Sequence, residues 1–424
     1  MGYQLAVDLG TSHLAAAYGR KDRIAPLPLG EAGPVVPASL GWASAPVVAE
    51  EAERLAATDP RSVLRALKRR LGDPTPLPFG DERHSVESLL GRLLRHALDR
   101  GERFHGAAPE SLVLTHPASW GPYRRRALTE AGRLAGAPEV HLVGEAHAAA
   151  EEFHARRPVR EDQFVAVYDL GGGMFDAALL RRTPVGFALV GTPEGYENIG
   201  GTDFDDAVLR YVTERVGGAT LDGLDLADPA AAAAMERLRR DCVRAKEALA
   251  SRPEVMIPVS LPGRRMEVPL DRPTFEALVE EPVGATVEAL GKVLEGAQEG
   301  QLAAVLLVGG STLMPLVPRA ITGGLGVSPA LLDTSPHGKH SVALGAVLSL
   351  HAPGAPAATL LDTPAAGSSD GAEGDQVAGA PDAGARAAAD PPSAVPVKVL
   401  LAGVLLVALA LITVIAVRAV IAVT

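Results

Sequence analysis

The chain has one cysteine in 424 residues, Cys242. That excludes an intrachain disulfide and a cysteine metal cage, and it favours a reducing compartment. Its helical surroundings make Cys242 a packed side chain rather than a reactive thiol. A basic stripe is also missing. With 51 acidic residues against 40 Lys and Arg, the formal net charge is −11, so a protein whose main task is gripping nucleic acid is not expected. Aromatics make up 4% of the residues and Lys is scarce beside Arg; with abundant Ala, Gly and Pro this reads as coding bias and carries no functional weight. No secretory leader opens the sequence, because Tyr3 to Val7 runs straight into an aspartate turn. The globular part is therefore expected in the cytoplasm. Gly2 suggests myristoylation, but Ala6 stands where the acceptor pattern has Ser or Thr.

A hydrophobic content of 47% supports a sizeable core and two or three domains. Residues 1 to 352 alternate short Val/Leu/Ala runs with amphipathic stretches, the pattern of an α/β protein with helix-covered sheets. Ser88–Arg100 repeats Leu at helical spacing and Tyr123–Leu134 does the same with Arg and Glu between, so both predict scaffold helices. Phe164–Tyr168 and Ala303–Val308 are continuous apolar strands that end at glycine turns.

Two of those turns share one pattern. Asp8-Leu-Gly-Thr-Ser12 and Asp169-Leu-Gly-Gly-Gly-Met-Phe-Asp176 each follow a short apolar run. Glycine lets a backbone approach a phosphate, the following N–H groups point at its oxygens, and the strand-end aspartate suits a hydrated metal. One such turn usually only reverses the chain; the repeat suggests a duplicated nucleotide-binding architecture. A third turn, Val308-Gly-Gly-Ser-Thr-Leu-Met-Pro315, would let a flat ring or ribose lie against its paired glycines.

The C-terminal part differs. Between Pro353 and Pro396 the sequence is Ala, Pro, Gly, Ser and Asp with six acidic residues against Arg386, which predicts a disordered linker over 353–396. Its end-to-end distance would be about 35–40 Å. Val399 to Val417 is an unbroken apolar run, long enough at ~1.5 Å per residue for a ~30 Å hydrocarbon core. A transmembrane helix is expected over 397–420, with the lipid bilayer contacted through 399–417. Lys398 and Arg418 bracket the run symmetrically, so orientation rests on the absent leader. The expectation is a tail-anchored, single-pass protein of the cell membrane with its globular part in the cytoplasm.

The three turns resemble the phosphate-1, phosphate-2 and adenosine motifs of the actin, sugar kinase and Hsp70 ATPase superfamily, and the stretches between them resemble the Hsp70 (DnaK-type) family. Ala66-Leu-Lys-Arg-Arg-Leu-Gly72 is similar to the segment carrying that family's ATPase lysine, here Lys68. Leu114-Thr-His-Pro-Ala-Ser-Trp120 with Arg125 is similar to the segment of its interdomain-signalling proline and arginine, here Pro117 and Arg125. Val143-Gly-Glu-Ala-His-Ala-Ala-Ala150 resembles the first connecting motif, with Glu145 at the metal-linked glutamate. Ile199-Gly-Gly-Thr-Asp-Phe-Asp205 and Arg244-Ala-Lys-Glu247 complete a series spanning residues 4 to about 350.

The resemblance implies an actin-like ATPase fold over 1–352, with two lobes, each a helix-covered mixed sheet, around a central cleft for ATP or ADP and Mg²⁺. Phosphoryl transfer to water needs charge neutralisation and an aligned water. Asp8, Glu145 and Asp169 would orient Mg²⁺ through its waters, and Lys68 would supply positive charge beside the γ-phosphate. The N–H groups of Gly10, Thr11 and Ser12 and of Gly171, Gly172 and Gly173 would cradle phosphates. Lys246, Gly309, Gly310 and Ser311 would contact the nucleoside. Asp176 reads either as a water-polarising group or as a turn carboxylate.

Several positions depart from the family pattern. Met174 stands where threonine is usual, replacing a hydroxyl by a thioether that pairs poorly with an anion. Val243, Glu247, Ala250 and Leu313 replace a glutamate, an arginine, a serine and an arginine. Lys339 or His340 replaces an acidic residue upstream of Val342-Ala-Leu-Gly-Ala346. The stretch from Lys68 to Thr115 is expected to be shortened, keeping its helix and losing a small β-element. Gly338-Lys339-His340-Ser341 lacks Walker A spacing and reads as a surface turn. His141, His147 and His154 have no matching carboxylate or cysteine cluster for a zinc site. No Hsp70-type client peptide site is expected, since the ATPase-like part passes directly into linker and apolar run. The leading expectation is a slow ATPase whose two lobes switch partner binding at the membrane. The alternatives are a hydrolysis-deficient scaffold related to envelope or division, a small-molecule kinase of the same superfamily, and a filament-forming actin homologue.

Overall fold

The computed structural model describes residues 2–20, 23–217, 224–298 and 300–351. The expected linker 353–396 and membrane helix 397–420 lie outside the described residues. Among the described residues no helix is long and apolar enough to cross a membrane.

Two sheets of the same plan form the two lobes. In the first, strands run in the order Val140–Gly144, Ser111–His116, Gln4–Leu9, His13–Arg20 and Arg23–Pro26, with Val35–Pro37 also pairing His13–Arg20. In the second the order is Leu332–Thr334, Leu302–Val308, Phe164–Leu170, Phe175–Thr183 and Gly186–Tyr196. Each sheet starts from an antiparallel meander of its first three strands and then adds two parallel strands beside the first. The duplication read from the two aspartate turns is thus a duplication of topology.

Register brings the turns together. In the second lobe Asp169 is paired across the sheet with Asp176 on one side and with Val308 on the other, so the second and third turns leave the same edge. In the first lobe Val7 pairs with Leu114 and His116 with Gly144, which sets Asp8, the loop after His116 and Glu145 along one edge. Both edges are the carboxyl ends of parallel strands, where α/β sheets place ligands. Ser111–His116 is buried at every position, as a parallel strand covered on both faces must be.

Helices at Val86–His105 and Pro122–Leu134 cover the first sheet, where Leu89, Leu93 and Leu128 join its core. Both match the periodicity of the sequence. Ser85 caps the longer one by accepting from the Ser88 N–H at 3.2 Å. On the second lobe Gly201–Val216, Pro229–Leu249 and Arg272–Leu294 pack into the largest core, which also buries Cys242. The stretch after Lys68 keeps its expected helix and carries a two-stranded hairpin, Leu77–Phe79 with Glu82–His84. Phe79, buried edge-on against Trp42, anchors the hairpin to the first lobe.

Two helices cross between the sheets. Glu145–Arg156 follows the last strand of the first sheet, yet Ala146, Ala149 and Phe153 pack against Val165, Val167 and Leu180 of the second. Ser341–His351 follows the last strand of the second sheet and packs Val342, Ala343 and Val347 against Ala6, Ala17 and Val113 of the first. Where they cross, a Cβ on Gly345 would lie 1.8 Å from the Ala148 carbonyl oxygen. Gly345→Ala should therefore destabilise the protein by roughly 1–3 kcal/mol through overpacking, although alanine is the better helix former by about 1 kcal/mol. Equilibrium urea unfolding measures it, and an unchanged midpoint would show that the crossing can open at no cost.

Candidate functional site

The two aspartate turns have one geometry. Gly10 N–H donates to the His13 carbonyl at 2.9 Å, and Gly171 N–H donates to the Met174 carbonyl at 3.0 Å. Those two amides are consumed by the turns themselves, so they are not free for a phosphate. Among the described residues Thr11, Ser12 and Gly172 make no backbone N–H bond within the turns.

The turns press on one another across the lobes. A Cβ on Gly172 would fall 2.2 Å from Ser12 Oγ, and one on Gly173 would fall 2.3 Å from Thr11 Cγ2. Only glycine fits there. Gly173 consequently sits against Thr11, away from the cleft lining, and its carbonyl accepts from Arg69 Nε at 2.7 Å. The expected phosphate role therefore narrows to Gly172 within that pair. Gly309 adopts φ +87°, a left-handed conformation, and a Cβ there would meet the Leu170 carbonyl at 2.4 Å.

Between the turns lies a cavity of about 460 Å³. Asp8, Gly10, Thr11, Ser12, Lys68 and Glu145 line it from the first lobe side. Asp169, Gly171, Gly172, Asp176, Lys246, Gly309, Gly310 and Ser311 line it from the second. Of the expected site residues only Gly173 is outside the lining.

Lys68 and Glu145 form the central contact. Lys68 sits in a short helical turn, Leu67–Arg70, and its Nζ donates to Glu145 Oε1 at 2.7 Å, with both side chains buried. Burial works against the Lys68 charge, but Glu145 and then Asp8 outweigh it and hold the ammonium protonated. The ammonium also lies 5.6 Å above the Trp120 ring. Burial pushes the Glu145 carboxyl up to about 7 despite Lys68, with Asp8 adding to the rise. Asp169 is raised well above the ordinary range by burial and then by Glu145 and Asp8. Asp8 is steadied by the Thr115 hydroxyl, which donates to its Oδ1 at 2.8 Å.

Such an excess of buried carboxylate over cation calls for a positive ion. No three His, Cys, Asp or Glu side chains among the described residues converge to ligate an ion directly. Asp8, Glu145 and Asp169 instead face one cavity together, a donor set that fits a magnesium ion keeping most of its waters.

Asp176 braces the lobes. Its carboxylate accepts from the N–H groups of Ala118 at 2.9 Å and Ser119 at 3.1 Å, in the loop after Ser111–His116 of the other lobe. Burial raises its pKa and those bonds oppose the rise. Lys246 is paired with Asp205 at 2.8 Å and donates to the Gly201 carbonyl at 2.9 Å. Ser311 donates its hydroxyl to the Gly171 carbonyl at 3.0 Å, so it ties the third turn to the second.

Some lining residues escape a sequence reading. Gly338 and Lys339 are exposed, in line with the surface-turn expectation, and with the buried Ser341 and Val342 they also border the cavity. His13, one residue past the first turn, lines the cleft and lies 3.2 Å from Lys339 Nζ. Met174 lines it too and packs on the core of the first lobe. Val243, Glu247, Ala250 and Leu313 all border the cavity. Arg244 does not; it is exposed and pairs with Asp241.

Removing Lys68 alone would strand a buried carboxylate. Lys68→Met is expected to cost about 3 kcal/mol, and the double variant with Glu145→Gln to restore most of it. Thermal and urea unfolding of both variants decide this, and equal losses in the single and double variants would contradict it.

Comparison with known proteins gives a consistent picture. Residues 75–352 match the family model described as Hsp70 protein. The chain is similar to the chaperone protein DnaK of Nitrosopumilus maritimus, with 28% identity over 365 residues covering 82% of this chain and 56% of that protein. The DnaK proteins of Thermotoga petrophila and Thermotoga maritima are 27% identical over 358 residues, covering 82% of this chain and 59% of theirs. The chain thus spans less than two-thirds of the length of these curated relatives.

Proposed function

Because the chain belongs to the Hsp70 protein family and its described part has that family's ATPase-domain architecture, we propose that the cleft binds ATP and ADP with Mg²⁺ and hydrolyses ATP slowly, and that the nucleotide sets the relation of the two lobes. The observation that carries this reading is the buried Lys68–Glu145 pair at 2.7 Å inside a cavity that Asp8 and Asp169 also face. Asp8, Glu145 and Asp169 would hold the ion through its waters; when bound, it supplies charge to offset that of the phosphates. Thr11, Ser12 and Gly172 offer N–H groups to phosphate oxygens. The Lys68 ammonium stabilises charge building on the γ-phosphoryl group and orients the attacking water.

Several contacts across the cleft suit a switch. Arg65 bridges Glu53 to Glu236 at 2.8 Å, Arg69 pairs with Asp203, and Arg124 pairs with Glu197. Partly exposed ion pairs of this kind each contribute about 0–1 kcal/mol, so they can exchange for ligand contacts without a large barrier. The relatives are chaperones by name; a chaperone-like ATPase is the family-level role. The finer reading is a switch for an unidentified protein partner at a membrane, with 399–417 as the anchor. A non-hydrolysing scaffold is the second reading, favoured by Met174, whose side chain plugs into the first lobe where a hydroxyl would face the phosphates.

Calorimetric titration with ATP and ADP, with and without Mg²⁺, tests binding. Single-turnover hydrolysis of radiolabelled ATP should fall by about 10²-fold in Lys68→Ala, measured under conditions where the variant is folded; equal rates would leave the scaffold. For the anchor, the full chain should float with phospholipid vesicles while a version ending at residue 396 should not, and co-flotation of both would remove the membrane assignment from 399–417.

A further inference from the structure

The cleft is electrically two-sided. One wall gathers Asp8, Glu145 and Asp169 around Lys68. The other carries two ammonium groups, Lys246 and Lys339, and only Lys246 has a carboxylate partner, Asp205 at 2.8 Å. Among the described residues no carboxylate lies within ion-pair distance of Lys339. Its Nζ lies 3.2 Å from His13 Nε2 instead.

That contact fixes a direction. An ammonium only donates, so His13 Nε2 accepts and the imidazole is neutral, with its proton on Nδ1. Burial, and then repulsion from Lys339 and Lys246, together lower the His13 pKa to about 4. The imidazole thus remains an acceptor at neutral pH. A Cβ on Gly310 would lie 3.5 Å from Lys339 Cε, so the lysine stem runs along the third turn and its tip reaches the end of the first. Lys339 is exposed at the mouth of the cavity, yet it is held over the cavity rather than released into water.

We propose that Lys339 is a phosphate-binding cation of this cleft, which pairs with a phosphate of a nucleoside polyphosphate at the junction of the first and third turns. This rests on the nucleotide reading of the cleft. The chain places a lysine or histidine here where the resemblance to Hsp70 leads one to expect an acidic residue, so the charge is a property of this chain. Lys246 repels the Lys339 ammonium and Glu247 attracts it from beyond ion-pair distance, so no carboxylate pairs with it directly. A phosphate relieves that repulsion and accepts a charge-assisted hydrogen bond. Carboxylates on one wall and an ammonium without a direct ion-pair partner on the other match the two poles of a metal-bound polyphosphate.

The test is calorimetric titration of the full chain with ADP and ATP in the presence of Mg²⁺, for the native protein, Lys339→Gln and Lys339→Arg, beside thermal unfolding of each without nucleotide. Lys339→Gln is expected to weaken both nucleotides about tenfold, Lys339→Arg to keep native affinity within about threefold, and ligand-free Lys339→Gln to melt near the native temperature. Native affinity in Lys339→Gln would overturn the proposal, and so would equal losses in the Gln and Arg variants, which would mark packing rather than charge. If the native protein binds neither nucleotide, the nucleotide reading fails first and this proposal falls with it. Failure of the subsite alone leaves native binding intact.

Discussion

The crossing of Glu145–Arg156 over Ser341–His351 leaves no room for a side chain at Gly345, and the placement of the charged groups in the cleft follows from it. Each helix belongs by sequence to one lobe and packs on the sheet of the other. The crossing therefore fixes the distance between the two carboxylate edges. Glu145 is the first residue of one crossing helix, and Lys339 lies in the turn that leads into the second.

The buried charges are tolerable only because they share that geometry. A lone carboxylate with the burial of Glu145 or Asp169 would cost several kcal/mol. Here Lys68 is shared among them, Thr115 donates to Asp8, and Asp176 is satisfied by two backbone amides of the opposite lobe. What is left is a wall where several carboxyl groups share one ammonium, and burial raises the pKa of Glu145 and Asp169 because that sharing is incomplete. A cation facing this cavity would relieve the same strain.

Much of this was legible in the sequence because it is local. Asp8 and Asp169 at strand ends, the glycines after them and the two scaffold helices follow from runs of fewer than twenty residues. That Lys68 and Glu145 serve one site was legible only through the resemblance, and their direct pairing across 77 residues was not legible at all. Long-range packing hid the rest. Gly173 looks like a cradle residue until Thr11 is seen against it, and the amides of Gly10 and Gly171 look free until the turn closes on His13 and Met174. Lys339 is exposed, and its contact with His13, 326 positions away, is what no local pattern shows. The Phe79 hairpin depends on Trp42, a contact that no local pattern announces.

The difference between the two aspartate turns also changes meaning. Read along the chain, Thr11 and Ser12 against Gly172 and Gly173 suggests that the second turn has lost polar side chains. In the fold those glycines are demanded by the hydroxyl residues facing them at 2.2 and 2.3 Å from any added Cβ. One turn can carry side chains only because the other carries none. Met174 extends the same logic: its thioether, a flexible apolar filler, reaches the core of the first lobe. It makes an apolar contact between the lobes, so the position after the three glycines holds the second turn against the first lobe.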